Sequence, residues 1–78
     1  MEIKKAEAAI EAILFALGES VELSQIAEAI GQDKETTRKL IHHLMDSYQE
    51  EGRGIQIIEL EQSYQMCTKK GYYRNLIQ

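Results

Sequence analysis

The first helical stretch of the chain becomes apolar on almost every side as it proceeds. Residues 2–17 are rich in alanine, leucine and glutamate, and no turn signal interrupts them before Gly18. This pattern predicts one helix over residues 2–17 that ends at a glycine. Three charged positions follow helical spacing along one stripe: Lys4, Glu7 and Glu11. The next position of that stripe is Phe15, so the polar side is lost near the end of the helix.

The opposite side of this helix carries the residues that are expected to face the core: Ile10, Ile13, Leu14 and Leu17. A helix that is apolar all round is buried on both sides. The sequence therefore predicts a second cover around Phe15, the only phenylalanine of the chain. The residues alone do not identify this cover, and the protein's own wing is one candidate for it.

Residues 21–50 predict a helix-turn-helix. Val21 and Leu23 flank a short extended piece, after which Ser24 is a good N-cap and Gly31 ends the helix. Asp33 then caps a longer helix over residues 34–50. Its expected buried face has 3- and 4-residue spacing and comprises Thr37, Leu40, Ile41, Leu44 and Tyr48.

The last third of the chain predicts a hairpin and a further helix. Residues 55–60 are rich in β-branched isoleucine and predict a strand, and residues 64–68 form the returning strand, with Glu61-Gln62-Ser63 as the turn. A fourth helix would begin near Lys69. The fold class is thus mainly α with a small β-hairpin, a winged helix-turn-helix in the order helix, short strand, helix, helix, two-stranded wing, helix.

Composition narrows the range of functions. The 78 residues form a single domain, and a formal net charge of -4 with a pI near 5.1 argues against DNA as the main partner, because nucleic-acid-binding domains are usually basic. The single cysteine, Cys67, cannot form an internal disulfide and fits a reducing cytoplasm. No apolar stretch reaches the roughly 18–20 residues of a membrane span, and the first residues lack a signal-peptide pattern.

Three stretches, IEAILFALGE at 10–19, VELSQIAEAIG at 21–31 and GRGIQI at 52–57 followed by YQMCTK, make the chain resemble a known family. It is similar to the N-terminal domain of segregation and condensation protein B, a bacterial partner of SMC complexes. The order and spacing of these stretches extend over all 78 residues. The resemblance implies that residues 1–78 are one winged-helix domain, the N-terminal half of a longer two-domain protein.

The resemblance also implies partners. The domain would pair with a second copy of itself and would act with SMC and with the kleisin subunit, segregation and condensation protein A. Contact with the kleisin would fall mainly to the second domain, which is absent from these 78 residues. The expected function is that of a non-enzymatic, homodimerising domain in chromosome partition and condensation, located in the cytoplasm at the nucleoid.

Three residues are candidates for the dimer interface. Phe15 is expected there or in the protein's own core. Ile58 and Leu60 point to the opposite side of their strand from Ile55 and Ile57, so both sides of the wing carry apolar residues. An isologous contact between two copies would use the outer pair. The other interpretation is that the fourth helix covers it.

The alternative function is a DNA-binding winged-helix transcriptional regulator. Its candidate contacts are Lys34, Thr36, Thr37 and Arg38 on the third helix. Residues 33–46 carry three basic residues (Lys34, Arg38, Lys39) and three acidic ones (Asp33, Glu35, Asp46), which is a net charge of zero. Glu61 stands in the wing turn, where a DNA-binding protein usually has a basic residue. A solvated face is therefore the favoured interpretation of this helix.

The sequence predicts no metal, no cofactor and no catalytic site. His42 and His43 are adjacent on a helix, so their side chains point in directions about 100° apart and cannot bind one ion together. No Ser-His-Asp or paired-carboxylate arrangement is visible. Cys67 has no partner at a motif spacing and is expected to pack within its strand.

Overall fold

The computed structural model describes residues 2–50 and 52–69. Three helices come first, α1 (Ile3–Leu17), α2 (Leu23–Ile30) and α3 (Lys34–Ser47), with the two-residue strand β1 (Val21–Glu22) between α1 and α2. Strands β2 (Ile55–Leu60) and β3 (Ser63–Thr68) follow. Three helices and a small antiparallel wing confirm the predicted fold class. The predicted fourth helix lies outside the described residues.

The sheet has the order β1-β3-β2, and both pairings are antiparallel. Val21 is paired with Tyr64, which anchors β1 on the wing. The turn between β2 and β3 has two residues, Glu61 and Gln62, because Leu60 already pairs with Ser63. Gln62 has a positive φ of 59°, the left-handed conformation that such a tight turn requires. The second strand thus begins one residue earlier than predicted.

The ends of α1 and α2 show which turn signals were interpreted correctly. Gly18 ends α1 with a φ of 64°, and its N–H donates to the carbonyl of Leu14 at 3.2 Å. Ser24, by contrast, is not the N-cap of α2. The helix begins at Leu23, and the cap is Glu22, whose backbone N–H donates to the side-chain oxygen of Gln25 at 3.2 Å. This reciprocal cap at the end of β1 takes the place of the serine.

Helix α3 is capped at both ends by side chains. The carboxylate of Asp33 accepts a hydrogen bond from the N–H of Thr36 at 3.1 Å. The Thr36 side chain first, and then this N–H, hold the pKa of Asp33 below its usual value. The helix ends at Ser47, earlier than the predicted residue 50. Past that end, the ammonium of Lys69 donates to the carbonyl of Tyr48 at 2.5 Å, where a cation is favoured by the helix dipole.

The core lies between the three helices and the inner face of the sheet. Fully buried side chains include Ile10, Leu14, Ile26, Ile41, Tyr48 and Tyr64. Leu40 is only partly buried at the edge of this cluster. Leu17, which was predicted to face the core, is 56% exposed, because it sits on the last turn of α1 beyond the packed body. That prediction is wrong.

Candidate interaction surface

Phe15 lies on the outer side of α1 and is 77% exposed. The neighbouring positions on this side, Ala8, Ala12 and Ala16, are exposed as well. The interpretation that Phe15 belongs to the protein's own core is therefore wrong for this structure. The outer side of α1 is an apolar strip with one aromatic ring, and we call these four residues the α1 outer strip.

The wing has an inner and an outer face that differ in burial. Strand pairing places Ile57 and Tyr64 on the inner face, where they are 4% and 1% exposed. Ile58 and Leu60 lie on the outer face; Ile58 is half-buried and Leu60 is 44% exposed. Cys67 shares that face and is half-buried, with a free thiol. The outer face of the wing therefore carries two isolated apolar side chains among polar ones, since Gln56, Ser63 and Gln65 share it.

The three candidate interface residues lie on two separate elements. Helix α1 packs on α2, α3 and β3, whereas β2 packs on β3 and α3. The candidate residues therefore lie on two surfaces, the α1 outer strip and the outer face of the wing.

The candidate DNA contacts on α3 are only partly available. Thr37 is fully buried and its hydroxyl donates to the carbonyl of Asp33 at 2.8 Å, so it cannot reach a groove and its assignment as a DNA contact is wrong. Thr36, Lys34 and Arg38 are exposed. Lys34 and Arg38 line a small cleft of about 160 Å³ that also contains the carboxylate of Glu22, which offsets their charge.

The charge of Arg38 also acts on Glu59 of the wing. The pKa of Glu59 is held below its usual value, first by the hydrogen bond from the Tyr64 hydroxyl at 2.7 Å and then by His42 and Arg38. The pKa of Tyr64 is raised by burial and by the same carboxylate. Arg38 and His42 therefore contribute to the contact between α3 and the wing.

The two adjacent histidines of α3 bind glutamates of different elements. His42 contacts Glu59 of β2 at 3.1 Å, between Nε2 and Oε1, and its ring meets that of Tyr64 edge-on. His43 is bonded through Nδ1 to the carboxylate of Glu7 on α1. This bond, followed by the charge of Glu7, raises the pKa of His43. Across residues 2–50 and 52–69, no group of three or more histidine, cysteine, aspartate or glutamate side chains is placed to hold a metal ion.

The contact between α1 and α3 contains hydrogen bonds that sequence reasoning missed. The sequence placed Glu7 and Glu11 on a polar stripe of α1 and gave them no partner. In the structure Glu7 meets His43, and Glu11 accepts a hydrogen bond from the hydroxyl of Tyr48. Burial, and then this bond, raise the pKa of Tyr48. The four-residue spacing of the two glutamates was visible in the sequence, but nothing in one sequence identifies their partners 36 and 37 residues away.

An apolar groove lies between the start of α1 and the middle of α3. Its volume is about 300 Å³, and its lining residues are Ile3, Glu7, Thr36, Lys39, Leu40 and His43. Ile3 is 60% exposed and Leu40 is half-buried. We call this cavity the α1–α3 groove.

No helix among the described residues has the length and apolar character to cross a membrane.

Together, the three-helix body, the tight turn between α2 and α3 and the antiparallel wing define a winged-helix protein. The family model for the segregation and condensation complex subunit ScpB matches residues 8–78. The chain belongs to this family. It is 56% identical over 77 residues to segregation and condensation protein B of Lachnoclostridium phytofermentans, a match that covers 99% of this chain and 41% of that protein.

A second relative has the same name. The chain is 51% identical over 72 residues to segregation and condensation protein B of Agathobacter rectalis, covering 91% of this chain and 38% of that protein. It thus spans about two fifths of the length of these curated relatives.

Solved structures show the same fold. A dimer of the ScpB N-terminal domain complexed with an ScpA peptide has a TM-score of 0.90 and 36% identity, covering 96% of this chain and 94% of that one. ScpB from Mycobacterium tuberculosis, with a TM-score of 0.86 and 18% identity, covers 99% of this chain and 50% of that one and shows the fold alone.

Proposed function

We propose that this chain is a homodimerising winged-helix domain that acts in chromosome segregation and condensation with an SMC–kleisin complex. The observation that carries the proposal is the exposure of Phe15 on the α1 outer strip, because a ring this large in an apolar surface is typical of an interface. The dimeric state of the similar ScpB N-terminal domain supports it. Residues 1–78 would be the N-terminal winged-helix unit of the protein.

The proposed interface combines Phe15 with Ile58 and Leu60. Each copy would contribute the same residues, since most homodimers use isologous contacts. Burial of the Phe15 ring and of the outer face of the wing would remove apolar surface from water, which is the main source of free energy in such contacts. The interface would be small and would contain one aromatic anchor for each copy.

The proposed mechanism is architectural. Two copies joined through this domain would hold their partner-binding surfaces in fixed relation on one kleisin and would raise the effective concentration of one contact once the other has formed. The family resemblance implied kleisin contact mainly through a second domain. Since the similar N-terminal domain was solved with an ScpA peptide, we extend the proposal to direct contact between this domain and the kleisin.

The proposal assigns no catalytic activity to the domain and places it in the cytoplasm at the nucleoid. A DNA-binding role has less support, because Thr37 is buried and the charge of Arg38 lies close enough to Glu59 to lower the pKa of that carboxyl. The net charge of -4 also argues against DNA binding, because DNA is itself negatively charged.

The test is the molar mass of the chain and its variants, measured by light scattering over a dilution series. We expect the wild type to be a dimer at micromolar concentration, whereas Phe15→Asp and Leu60→Asp give folded monomers with unchanged circular dichroism. Ile3→Asp is the matched control, because Ile3 is also an exposed apolar residue and lies at the other end of α1. A wild type that stays monomeric at high concentration, or a dimer that survives both interface variants, would refute the proposal.

A further inference from the structure

A second cleft lies where the described chain leaves the wing. It is formed between the end of α3 and the first half of β2, and its volume is about 310 Å³. Its lining residues are Met45, Tyr48, Gln49, Gln56, Ile57 and Lys69. Lys69 is therefore both a part of this lining and the last of the described residues. We call this cavity the Lys69 cleft.

Lys69 is anchored at both its backbone and its side chain. Its N–H donates to the carbonyl of Gly54 at 2.9 Å, just before β2 begins. Its ammonium donates to the carbonyl of Tyr48 at 2.5 Å and to that of Glu50 at 3.5 Å. These bonds join residue 69 to the start of β2 and to the end of α3. The chain thus continues from a defined point beside the cleft.

The lining of the cleft combines apolar and polar groups in the way that a tyrosine side chain does. Met45 is half-buried, and its thioether makes favourable contacts with aromatic rings. The half-buried Gln56 donates from its amide nitrogen to the carbonyl of Thr68 at 3.4 Å, and its amide oxygen can accept a bond. A buried tyrosine packs through its ring and usually finds a partner for its hydroxyl. The cleft therefore suits a tyrosine better than a purely apolar or a charged group.

The sequence supplies a tyrosine within reach of the cleft. Lys70 and Gly71 follow Lys69, and Tyr72, which lies outside the described residues, comes next. Three residues span at most about 11 Å, so the backbone of Tyr72 stays within that distance of Lys69. Gly71 adopts the backbone conformations of a sharp turn at little cost, which allows the chain to turn back toward α3. Tyr72 is thus the first aromatic side chain after the anchored residue.

We propose that the Lys69 cleft is the docking site for the side chain of Tyr72, with its ring on Met45 and its hydroxyl donating to the amide oxygen of Gln56. The contact forms within one copy of the chain. It goes beyond the proposed function, whose interface uses none of these three residues. It would direct the chain along the end of α3 and leave the outer face of the wing, with Ile58 and Leu60, uncovered by this segment.

The experiment is NMR of the chain labelled with ¹³C at the methionine methyl groups. An aromatic ring shifts the signal of a methyl group that lies against it. We expect Tyr72→Leu to move the Met45 signal more than the Met66 signal, and Tyr72→Phe to leave it in place because the ring is kept. A nuclear Overhauser effect should join the Tyr72 ring to the Met45 methyl group. The ring of Tyr48 also lines the cleft but is present in every variant.

Tyr73→Leu is the matched control, because it removes an identical ring from the next position of the chain. We expect it to leave the Met45 signal in place. Urea unfolding gives a second readout: Tyr72→Ala should raise the equilibrium constant for unfolding by about fivefold, and Tyr73→Ala by less than about twofold. A Met45 signal that is unmoved in Tyr72→Leu, or that moves as far in Tyr73→Leu, would overturn the assignment.

Two further outcomes would refute the docking site and identify another place for the ring. A Met45 shift that disappears on dilution would show that the ring comes from a second copy. Nuclear Overhauser effects from Tyr72 to Ile58 or Leu60 would place the segment on the outer face of the wing. Light scattering on the same samples reports the dimer separately, so failure of the docking site and failure of the proposed dimer are distinguishable.

Discussion

The inner side of α1 is covered by the rest of the domain, and its outer side is exposed. The residues of both sides are interleaved along the same fifteen-residue helix. Leu14 is fully buried against the rest of the domain, and its neighbour Phe15 is 77% exposed. The two side chains point about 100° apart around the helix. Ala6 and Ile10 continue the buried side, whereas the alanines of the α1 outer strip continue the exposed one.

This difference separates folding from association. The inner side is covered within one copy of the chain, because Ala6, Ile10 and Leu14 are each no more than 2% exposed. The outer side contributes little to the fold of one copy. Single exposed apolar residues are normal on protein surfaces, but an aromatic ring within a run of alanines forms a continuous apolar strip. Adjacent residues of one helix therefore have effects that mutation can separate.

The largest expected effect is on the free energy of unfolding, when Leu14 and its neighbour Phe15 are each replaced by alanine. Leu14→Ala should lower the free energy of unfolding by about 2–5 kcal/mol, because it leaves a cavity in a fully buried site. Phe15→Ala should change it by less than about 0.5 kcal/mol when the protein is dilute enough to be monomeric. Urea unfolding at nanomolar and micromolar concentrations checks both values.

The comparison would break down if Phe15→Ala destabilised the dilute protein as much as Leu14→Ala. Such a result would mean that the ring is covered within one copy. At high concentration Phe15→Ala should lose stability relative to the wild type, because the dimer that stabilises the folded state is weakened.

The contrast between these two sides was only partly visible in the sequence. Helical spacing identified Ile10 and Leu14 as buried, and the glycine at position 18 marked the end of the helix. The six apolar residues from Ala12 to Leu17 suggested that both sides were covered, yet periodicity cannot distinguish a residue's own core from another chain's surface. Only packing in three dimensions shows that Phe15 is left outside.

The contacts between α1 and α3 were also missed by the sequence analysis, and the reason is the long separation of their residues along the chain. Helix caps such as Asp33 depend on residues three positions away, so local rules find them. The bond between Glu11 and Tyr48 joins residues 37 positions apart and depends on how the two helices cross. Leu17 failed for a related reason, since its position in the helical pattern was right but α1 extends beyond the body that would bury it.

The second expected effect concerns the hydrogen bond that joins α1 to α3 through Glu11 and Tyr48. Tyr48→Phe removes the hydroxyl that donates to Glu11 and should lower the free energy of unfolding by about 1–2 kcal/mol, since hydrogen bonds to charged groups contribute more than neutral ones. The ring keeps its packing and its contact with Arg53, whose guanidinium lies 5.0 Å from the ring centre. Hydrogen exchange should become faster in α1.

Tyr64→Phe is the matched control for this change. It removes a buried tyrosine hydroxyl that also donates to a glutamate, but that glutamate, Glu59, belongs to the wing. We expect a similar loss of stability with faster exchange in β2 and β3 and with α1 unchanged. Equal exchange in α1 for both variants would show that the Tyr48–Glu11 bond does not hold the helix.

The smallest expected effect is a pH dependence of the contact between α1 and α3. The bond to Glu7 raises the pKa of His43 in the folded protein above its ordinary value of 6.5, so folding favours the protonated ring. This contribution to stability is fully present below pH 6.5 and is lost as pH rises through the raised pKa. His43→Gln should therefore reduce the difference in thermal midpoint between pH 5.5 and pH 8.5, with Glu7→Gln giving the same result and the double variant adding nothing further. Because His43 is exposed, solvent screens the pair and the change should be smaller than that of Tyr48→Phe. A wild-type midpoint that rises between these pH values relative to His43→Gln would contradict the assigned sign.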